Sequence, residues 1–423
     1  TFMLEILVAT ILCSFFLITS GNLFCKFVFP TNYYKELSIA ETTLLGIIIL
    51  SFLALIINLL FPLDTYVCSI LFIFIFIYGI LNKTYKNTKI IIISSIIAFI
   101  LILNSNINRP DAGLYHLPIV SMINENRIIL GSSNIHFRFA HGSIIQYFSA
   151  LFNIPFIDKS FITIPAASIF AFYIYYLYQK LIKAFAQDNN FSFILIFIFF
   201  VFSIYLFNRY SNYGNDAVAH IYYFYFILSI FFLLNKDHIN ELDLSKLILT
   251  SVFLVGTKLF MVISAIPAIY FFLLFKNKII LFKNKMIYLS AIFFLILLLK
   301  SILTSGCALY PIKITCLKSL KIHNSIETGN IADMSEAWSK GWPDQKIKVK
   351  NYKNFNSNFN WLETWKANHL KYIIEKVSPF FVFLIIISLL LFFYSNKNFE
   401  KHKKEEIKGL YRIIFFISFC SII

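Results

Sequence analysis

The sequence predicts an all-α integral membrane protein of about twelve transmembrane helices, with amphipathic helices lying at the interface in its first large outer loop. Three observations lead there. The 423-residue chain is 59% hydrophobic and 19% aromatic, with 14% charged residues and a mean hydropathy of +0.76, far more apolar than a soluble domain. Apolar runs of about 18 residues recur from end to end, each long enough as helix to cross a hydrocarbon core of roughly 30 Å. Between them stands a polar island at 104–160, where an Asp, three His and several Arg gather. Backbone groups in lipid need partners within their own segment, and the runs lack a strand's alternation, so the spans must be helices.

In chain order the expected spans are 2–23, 42–61, 64–81, 89–103, 161–182, 191–207, 217–234, 244–256, 259–275, 286–304, 372–393 and 410–423. The eighth is short and forms a hairpin with the ninth, turning at Gly256-Thr257-Lys258. The whole of 1–423 reads as a single polytopic membrane domain: N-terminal spans over 1–103, a polar loop over 104–160, central spans over 161–304, a second polar loop over 305–371, and C-terminal spans over 372–423. The chain opens on Thr1 and stops at Ile423 inside an apolar run, so a fragment is expected. Its first span carries Glu5, lacks a basic flank and shows no small-residue cleavage site, unlike a signal peptide.

Orientation follows from Lys and Arg in the short loops. One alternate set of loops holds Lys26 and Lys35, Lys83, Lys86 and Lys89, Lys180 and Lys183, Lys236 and Lys246, Lys276, Lys278, Lys283 and Lys285, and the lysines from Lys397 to Lys408. The opposite set has Arg209 and Lys258 and little else in its short members. The Lys-rich set is therefore expected in the cytoplasm, which puts both long loops and the segment 209–216 together on the outer face. The net charge of +16 is then solvated, orientation-setting charge, and a nucleic-acid partner is not expected. Cys13, Cys25, Cys68 and Cys420 lie in or beside apolar spans and should pack as small hydrophobes. Cys307 and Cys316 flank a polar stretch, with room for a short disulfide if that loop faces an oxidising compartment.

The first loop carries the chemistry. It reads Asn-Arg-Pro-Asp-Ala-Gly-Leu-Tyr-His-Leu-Pro from Asn108 to Pro118 and Asn-Ile-His-Phe-Arg-Phe-Ala-His-Gly-Ser from Asn134 to Ser143. Pro110-Asp111-Ala112-Gly113 reads as a turn, and Pro118 suits the first turn of a helix. The stretches 118–129 and 143–152 each present one apolar face, as interfacial helices do. A carboxylate at Asp111, beside Tyr115 and His116, would act as a general base towards an incoming hydroxyl; its alternative role is to cap the helix. Arg138 with His116, His136 or His141 would hold a phosphate or pyrophosphate, with lipid headgroup contact as the plainer reading. No pair of these His has the same-face spacing of a helical zinc site. The sequence names no cofactor and leaves a divalent metal open.

Asp216 and His220 are four apart at the outer end of the seventh span, hence on one helical face. Snorkelling to the interface explains Lys258 and Lys300 alike, but Lys258 also sits in the tight turn, where it would meet a phosphate. The second loop holds Glu336-Ala-Trp-Ser-Lys-Gly-Trp-Pro343 and Asn360-Trp-Leu-Glu-Thr-Trp365. Aromatics beside acids suit sugar stacking and an interfacial aromatic belt equally.

An Asp in the first major outer loop, followed by Tyr-His-Leu-Pro and an interfacial helix, resembles the GT-C superfamily of multi-pass glycosyltransferases, which use polyprenyl-phosphate sugar donors. Protein O-mannosyltransferases and the lipid A aminoarabinose transferase belong to it. Asp111 to Pro118, Asn134 to Ser143, Tyr213-Gly-Asn-Asp216 and Ser305-Gly-Cys-Ala-Leu-Tyr-Pro311 are similar to a group of bacterial membrane proteins assigned to that superfamily. The resemblance spans roughly 90–375. It implies a GT-C-like fold, Asp111 as the loop carboxylate that acts as base or organises the acceptor, and the two amphipathic stretches as the helices framing the site. Ala112 and Gly113 follow Asp111, so the second acid many members carry is missing, and about three spans precede the loop where many members have one.

The mechanism implied is inverting transfer of a sugar from a polyprenyl phosphate to a lipid, glycan or protein acceptor at the outer face of a bacterial cytoplasmic membrane. Arg138, His116 or Lys258 would hold the phosphate, Asp111 would take the acceptor's proton, and Asp216 would stand in reserve. A lipid-linked oligosaccharide polymerase would keep the same geometry. A flippase or transporter of lipid-linked sugars would place its ionisable groups at mid-membrane, often in repeated halves, and neither pattern is present here.

Overall fold

In the computed structural model the apolar runs become helices. The structure describes residues 2–104, 111–155, 157, 163–187, 189–205, 214–234, 239–341 and 351–375, together with 378, 382, 385, 386 and 389. The last expected span, 410–423, most of 372–393, and Asn108, Arg109, Pro110 and Tyr213 of the loop motifs lie outside them. Among the described residues there is no strand, only an isolated bridge between Cys307 and Cys316. The chain divides into two compact units, Thr1–Thr304 and Ser305–Ile423.

The first unit opens with α1 (Phe2–Val28), the short α2 (Thr31–Glu36), α3 (Ile39–Leu60), α4 (Thr65–Leu81) and α5 (Thr88–Leu103). Local signals start two of these. Ser38 accepts the Glu41 N–H to cap α3, and Asp64 accepts the Val67 N–H to cap α4, each satisfying a donor the helix leaves unpaired. Glycine decides how closely α1 and α3 approach. A Cβ on Gly46 would lie 2.3 Å from the Gly21 Cα, so the two backbones touch where small residues replace side chains.

The loop that follows holds a π-helical turn (Ala112–His116), α6 (Leu117–Glu125), α7 (Phe137–Ala140) and α8 (Ile144–Ala150). Then come α9 (Ile164–Ala186), α10 (Asn190–Tyr205), α11 (Asn215–Leu234) and α12 (Glu241–Thr257). A 3-10 segment (Leu259–Ser264), α13 (Ala265–Leu274), α14 (Lys278–Phe282) and α15 (Lys285–Ser305) complete the set. The hairpin expected at Gly256-Thr257-Lys258 forms, and the Ser251 and Ser264 hydroxyls meet at 3.0 Å across it.

Three expectations are corrected. Among the described residues four helices, Met3–Val28, Ile39–Leu60, Asn215–Leu234 and Lys285–Ser305, are long and apolar enough to cross a membrane, not about twelve. The segments Thr65–Leu81, Thr88–Leu103, Ser192–Tyr205 and Leu259–Leu274 are apolar but shorter; a 16-residue helix spans about 24 Å. Asp111, Ala112 and Gly113, expected in a turn, instead start the π-helical segment, which runs straight into α6 because Leu117 keeps helical angles. Finally, the apolar face of α8 is turned to protein. Ile144, Ile145, Phe148 and Leu151 are all buried, because the apolar face of α8 packs on α3 and α6.

A charged network that sequence periodicity did not reveal ties the Lys-rich helix ends together. Glu41 of α3, 3% exposed, takes Lys246 of α12 at 2.7 Å and Lys180 of α9 at 3.2 Å. Tyr225 donates at 3.5 Å to the Glu41 Oε1 that also takes Lys246, and Tyr33 of α2 donates to Asp243 at 2.6 Å. Two acids and two lysines balance, as buried charge must.

The second unit begins as a loop in which Cys307 and Cys316 are disulfide-bonded, and Ala308 and Leu317 donate to the Thr315 and Gly306 carbonyls. It continues as α16 (Ser325–Gly341), α17 (Tyr352–Asn356) and α18 (Leu362–Trp365). Asn356 and Asn368 staple these helices, donating to the Asp333 and Gly341 carbonyls at 2.8 Å each. Cys13, Cys25 and Cys68 of the first unit are free and buried, as their apolar surroundings imply.

Candidate functional site

Asp111 stands at the head of the π-helical turn and makes no capping hydrogen bond. Its Oδ1 lies 3.4 Å from Nη1 of Arg138 instead, a pairing across 27 positions of chain that removes the helix-cap role. Arg138 reaches it because α7 is held at both ends. The His136 Nδ1 accepts the Arg138 N–H at 3.3 Å and so starts the helix. At the other end Lys300 donates to the carbonyls of Ala140 and Gly142 at 3.1 and 2.7 Å. Lys300 is 6% exposed. It was expected to snorkel, but the α7–α8 turn gives its ammonium two acceptors inside the protein. The guanidinium of Arg138 lies 4.5 Å from the Tyr115 ring centroid, so a stack and an ion pair together fix its plane.

His116 is buried at the next position. Its Nδ1 is 3.3 Å from the side-chain nitrogen of Gln146, whose own oxygen accepts the Ser143 N–H at 2.7 Å. Only the amide oxygen can accept from a backbone N–H, which leaves the amide nitrogen to donate to His116. Nδ1 is then the acceptor and the ring proton sits on Nε2. That edge of the ring faces Gly214, whose Cβ position would be 3.5 Å away. Burial is the largest influence on this imidazole and takes its pKa from 6.5 down to about 4, with Arg138 and Lys258 acting in the same sense and Asp111 and Asp216 opposing. His116 is therefore a neutral donor at pH 7. Tyr115 stays a phenol as well, raised to about 12 by burial first and by the carboxylates of Asp111 and Asp216.

Asp216 opens α11, and its Oδ1 pairs with Lys258 at 2.7 Å, where α12 ends and the hairpin turns. The fields of both carboxylates and both cations reach His116, so Asp111, Tyr115, His116, Arg138, Asp216 and Lys258 form one cluster from four stretches of chain. Its two ion pairs are half open to solvent, with side chains 32% to 64% exposed. Such pairs are worth about 0–1 kcal/mol, so an arriving anion can take either cation and release its carboxylate.

The remaining expected residues take other places. His136 caps α7. His141 is exposed at the end of α7, its N–H on the Arg138 carbonyl at 3.2 Å. His220 lies one turn further along α11 on the face of Asp216. Gln146 was not expected, although Ser143-x-x-Gln146 has capping-box spacing in the sequence, and the box forms. Each carboxylate of the cluster has a guanidinium or ammonium within 4 Å. Among the described residues, the three side chains that meet as metal ligands do are Cys307, Cys316 and His323, and the two sulfurs there are bonded to each other.

The chain belongs to the family described as Domain of unknown function (DUF8201), whose model matches residues 3–423. No curated protein and no solved structure matches it.

Proposed function

We propose that this protein is a membrane glycosyltransferase that moves a sugar from a polyprenyl-phosphate donor to a lipid, glycan or protein acceptor at the outer face of the cytoplasmic membrane, in a GT-C-like arrangement. The four long apolar helices support a membrane setting, and the shorter apolar helices are read as further segments of the same bundle. The Cys307–Cys316 disulfide supports an oxidising compartment for the second loop, in agreement with the Lys-poor loops on that face.

One observation carries the reading: the pairing of Asp111 with Arg138 beside a His116 whose donor edge is fixed. In transfer, the acceptor oxygen bonds to the anomeric carbon as the bond from that carbon to the phosphate oxygen breaks. The leaving group is a phosphate monoester anion, and fixed cations and donors aimed at it supply the main electrostatic stabilisation. Arg138, Lys258 and the Nε2–H of His116 fill that role. When the phosphate takes Arg138, Asp111 is released to accept the proton of the attacking hydroxyl. Charge developing on the sugar makes the nearby carboxylates useful a second time.

The test is transfer from labelled polyprenyl-phosphate sugars in membranes containing the full chain, with Arg138→Ala and Lys258→Ala beside it at matched expression. Donor-dependent transfer that both substitutions reduce about 10²-fold supports the reading. Transfer by no donor of a broad panel, with translocation of a lipid-linked sugar instead, would replace it with a flippase.

A further inference from the structure

At the opposite ends of the same helices lies a second feature. Lys258 ends α12, and Glu241 begins it, about 25 Å away along the axis. There, a cavity of about 390 Å³ opens between the end of α1, the start of α12, α14 and the start of α15. Its walls are layered. Phe29, Leu242 and Ile280 supply apolar surface, whereas Lys283, Lys285 and Glu241 are its ionisable groups. The surroundings are apolar and open to the exterior: Phe27 is 76% exposed, Ile279 70% and Phe282 50%. Lys285 extends along this apolar surface with its ammonium 5.2 Å from the Phe27 ring, the posture of a lysine at a bilayer interface.

We propose that this cavity binds the headgroup of an anionic glycerophospholipid of the cytoplasmic leaflet. The volume falls in the small-ligand range and is far below what a protein segment needs. Two lysines and one glutamate leave a single positive charge, the complement of one phosphodiester. The N-termini of α12 and α15 and the C-termini of α1 and α14 all end at this cavity, so their dipoles offset and the two lysines carry the attraction for an anion. The phosphate sits on Lys283 and Lys285, the glycerol backbone lies against Phe29 and Leu242, and Glu241 accepts from a hydroxyl of the headgroup. The net positive charge of this lining favours phosphatidylglycerol, which is net anionic, over heads that are zwitterionic. The inference stands on the membrane setting and not on sugar transfer.

The experiment is lipid retention by the full chain, measured by native mass spectrometry after exchange into nanodiscs of phosphatidylglycerol, phosphatidylethanolamine or phosphatidylcholine, each mixed with the same neutral carrier lipid. Phosphatidylglycerol should be retained through delipidation, and Lys283→Gln with Lys285→Gln should lower its retention about tenfold, the thermal midpoint in detergent showing that the variant is folded. Glu241→Gln, which raises the charge of the cavity by one, should widen the preference for phosphatidylglycerol over phosphatidylethanolamine. Equal retention of all three lipids, or undiminished retention of phosphatidylglycerol by the folded double variant, would overturn the proposal.

Discussion

The amide of Gln146 sets the proton of His116. Its oxygen is committed to the Ser143 N–H at 2.7 Å, so its nitrogen, 3.3 Å from Nδ1, can only donate. Gln146→Glu should therefore reverse the ring. A carboxylate would still accept from Ser143 but would draw the His116 proton to Nδ1, leaving Nε2 without a hydrogen to offer. Transfer should fall about 10²-fold in kcat, with KM for the donor little changed. A loss confined to KM would mean that the ring does not act in the transition state.

Acid should destabilise the protein through the same residue. The value for His116 falls from 6.5 to about 4 on folding, chiefly through burial, so the unfolded chain binds the proton more tightly. This contribution is complete above pH 6.5 and is lost as pH falls towards 4, about 3 kcal/mol in all. Thermal midpoints in detergent should drop over that interval, and a folded His116→Asn variant should drop less. An identical pH dependence in the two would remove His116 as the source.

The Glu41 network should behave as a buried ion cluster. Glu41→Gln leaves Lys246, 11% exposed in its side chain, without its main partner, at a loss of about 3–5 kcal/mol. Replacing Glu41 and Lys246 together by Leu and Met should recover a large part of that loss. Additive losses in the double variant would show that the two charges do not interact.

Gly46 should tolerate no side chain. Its Cβ would meet the Gly21 backbone at 2.3 Å, so α1 and α3 would have to separate. Gly46→Ala should lower stability by about 1–3 kcal/mol, read as the thermal midpoint. An unchanged midpoint would mean the helices are not in backbone contact.

Helix positions were legible in the sequence because local signals define them. The run expected at 64–81 became Thr65–Leu81 with Asp64 as its cap, and the turn at Lys258 fell where Gly256 and Thr257 announced it. Asp111, Arg138, Asp216 and Lys258 were legible as polar residues out of place in an apolar chain. Their partners were not. Nothing local says that Arg138 meets Asp111, that Lys300 finds carbonyls rather than the interface, or that Glu41 takes lysines from two distant helices, since these pairs are 27 to 205 positions apart. The apolar face of α8 said that it must be covered, and its spacing could not say whether lipid or α3 would cover it.

The central claim is that Asp111 accepts the acceptor's proton once a phosphate has taken Arg138 from it. The most direct measurement is sugar transfer by Asp111→Asn against the unmodified chain in matched membranes, with donor binding followed in parallel. Transfer should be lost while the donor is still bound, because Asn keeps the shape and cannot take a proton. Equal transfer by both proteins would contradict it and move the chemistry to Asp216.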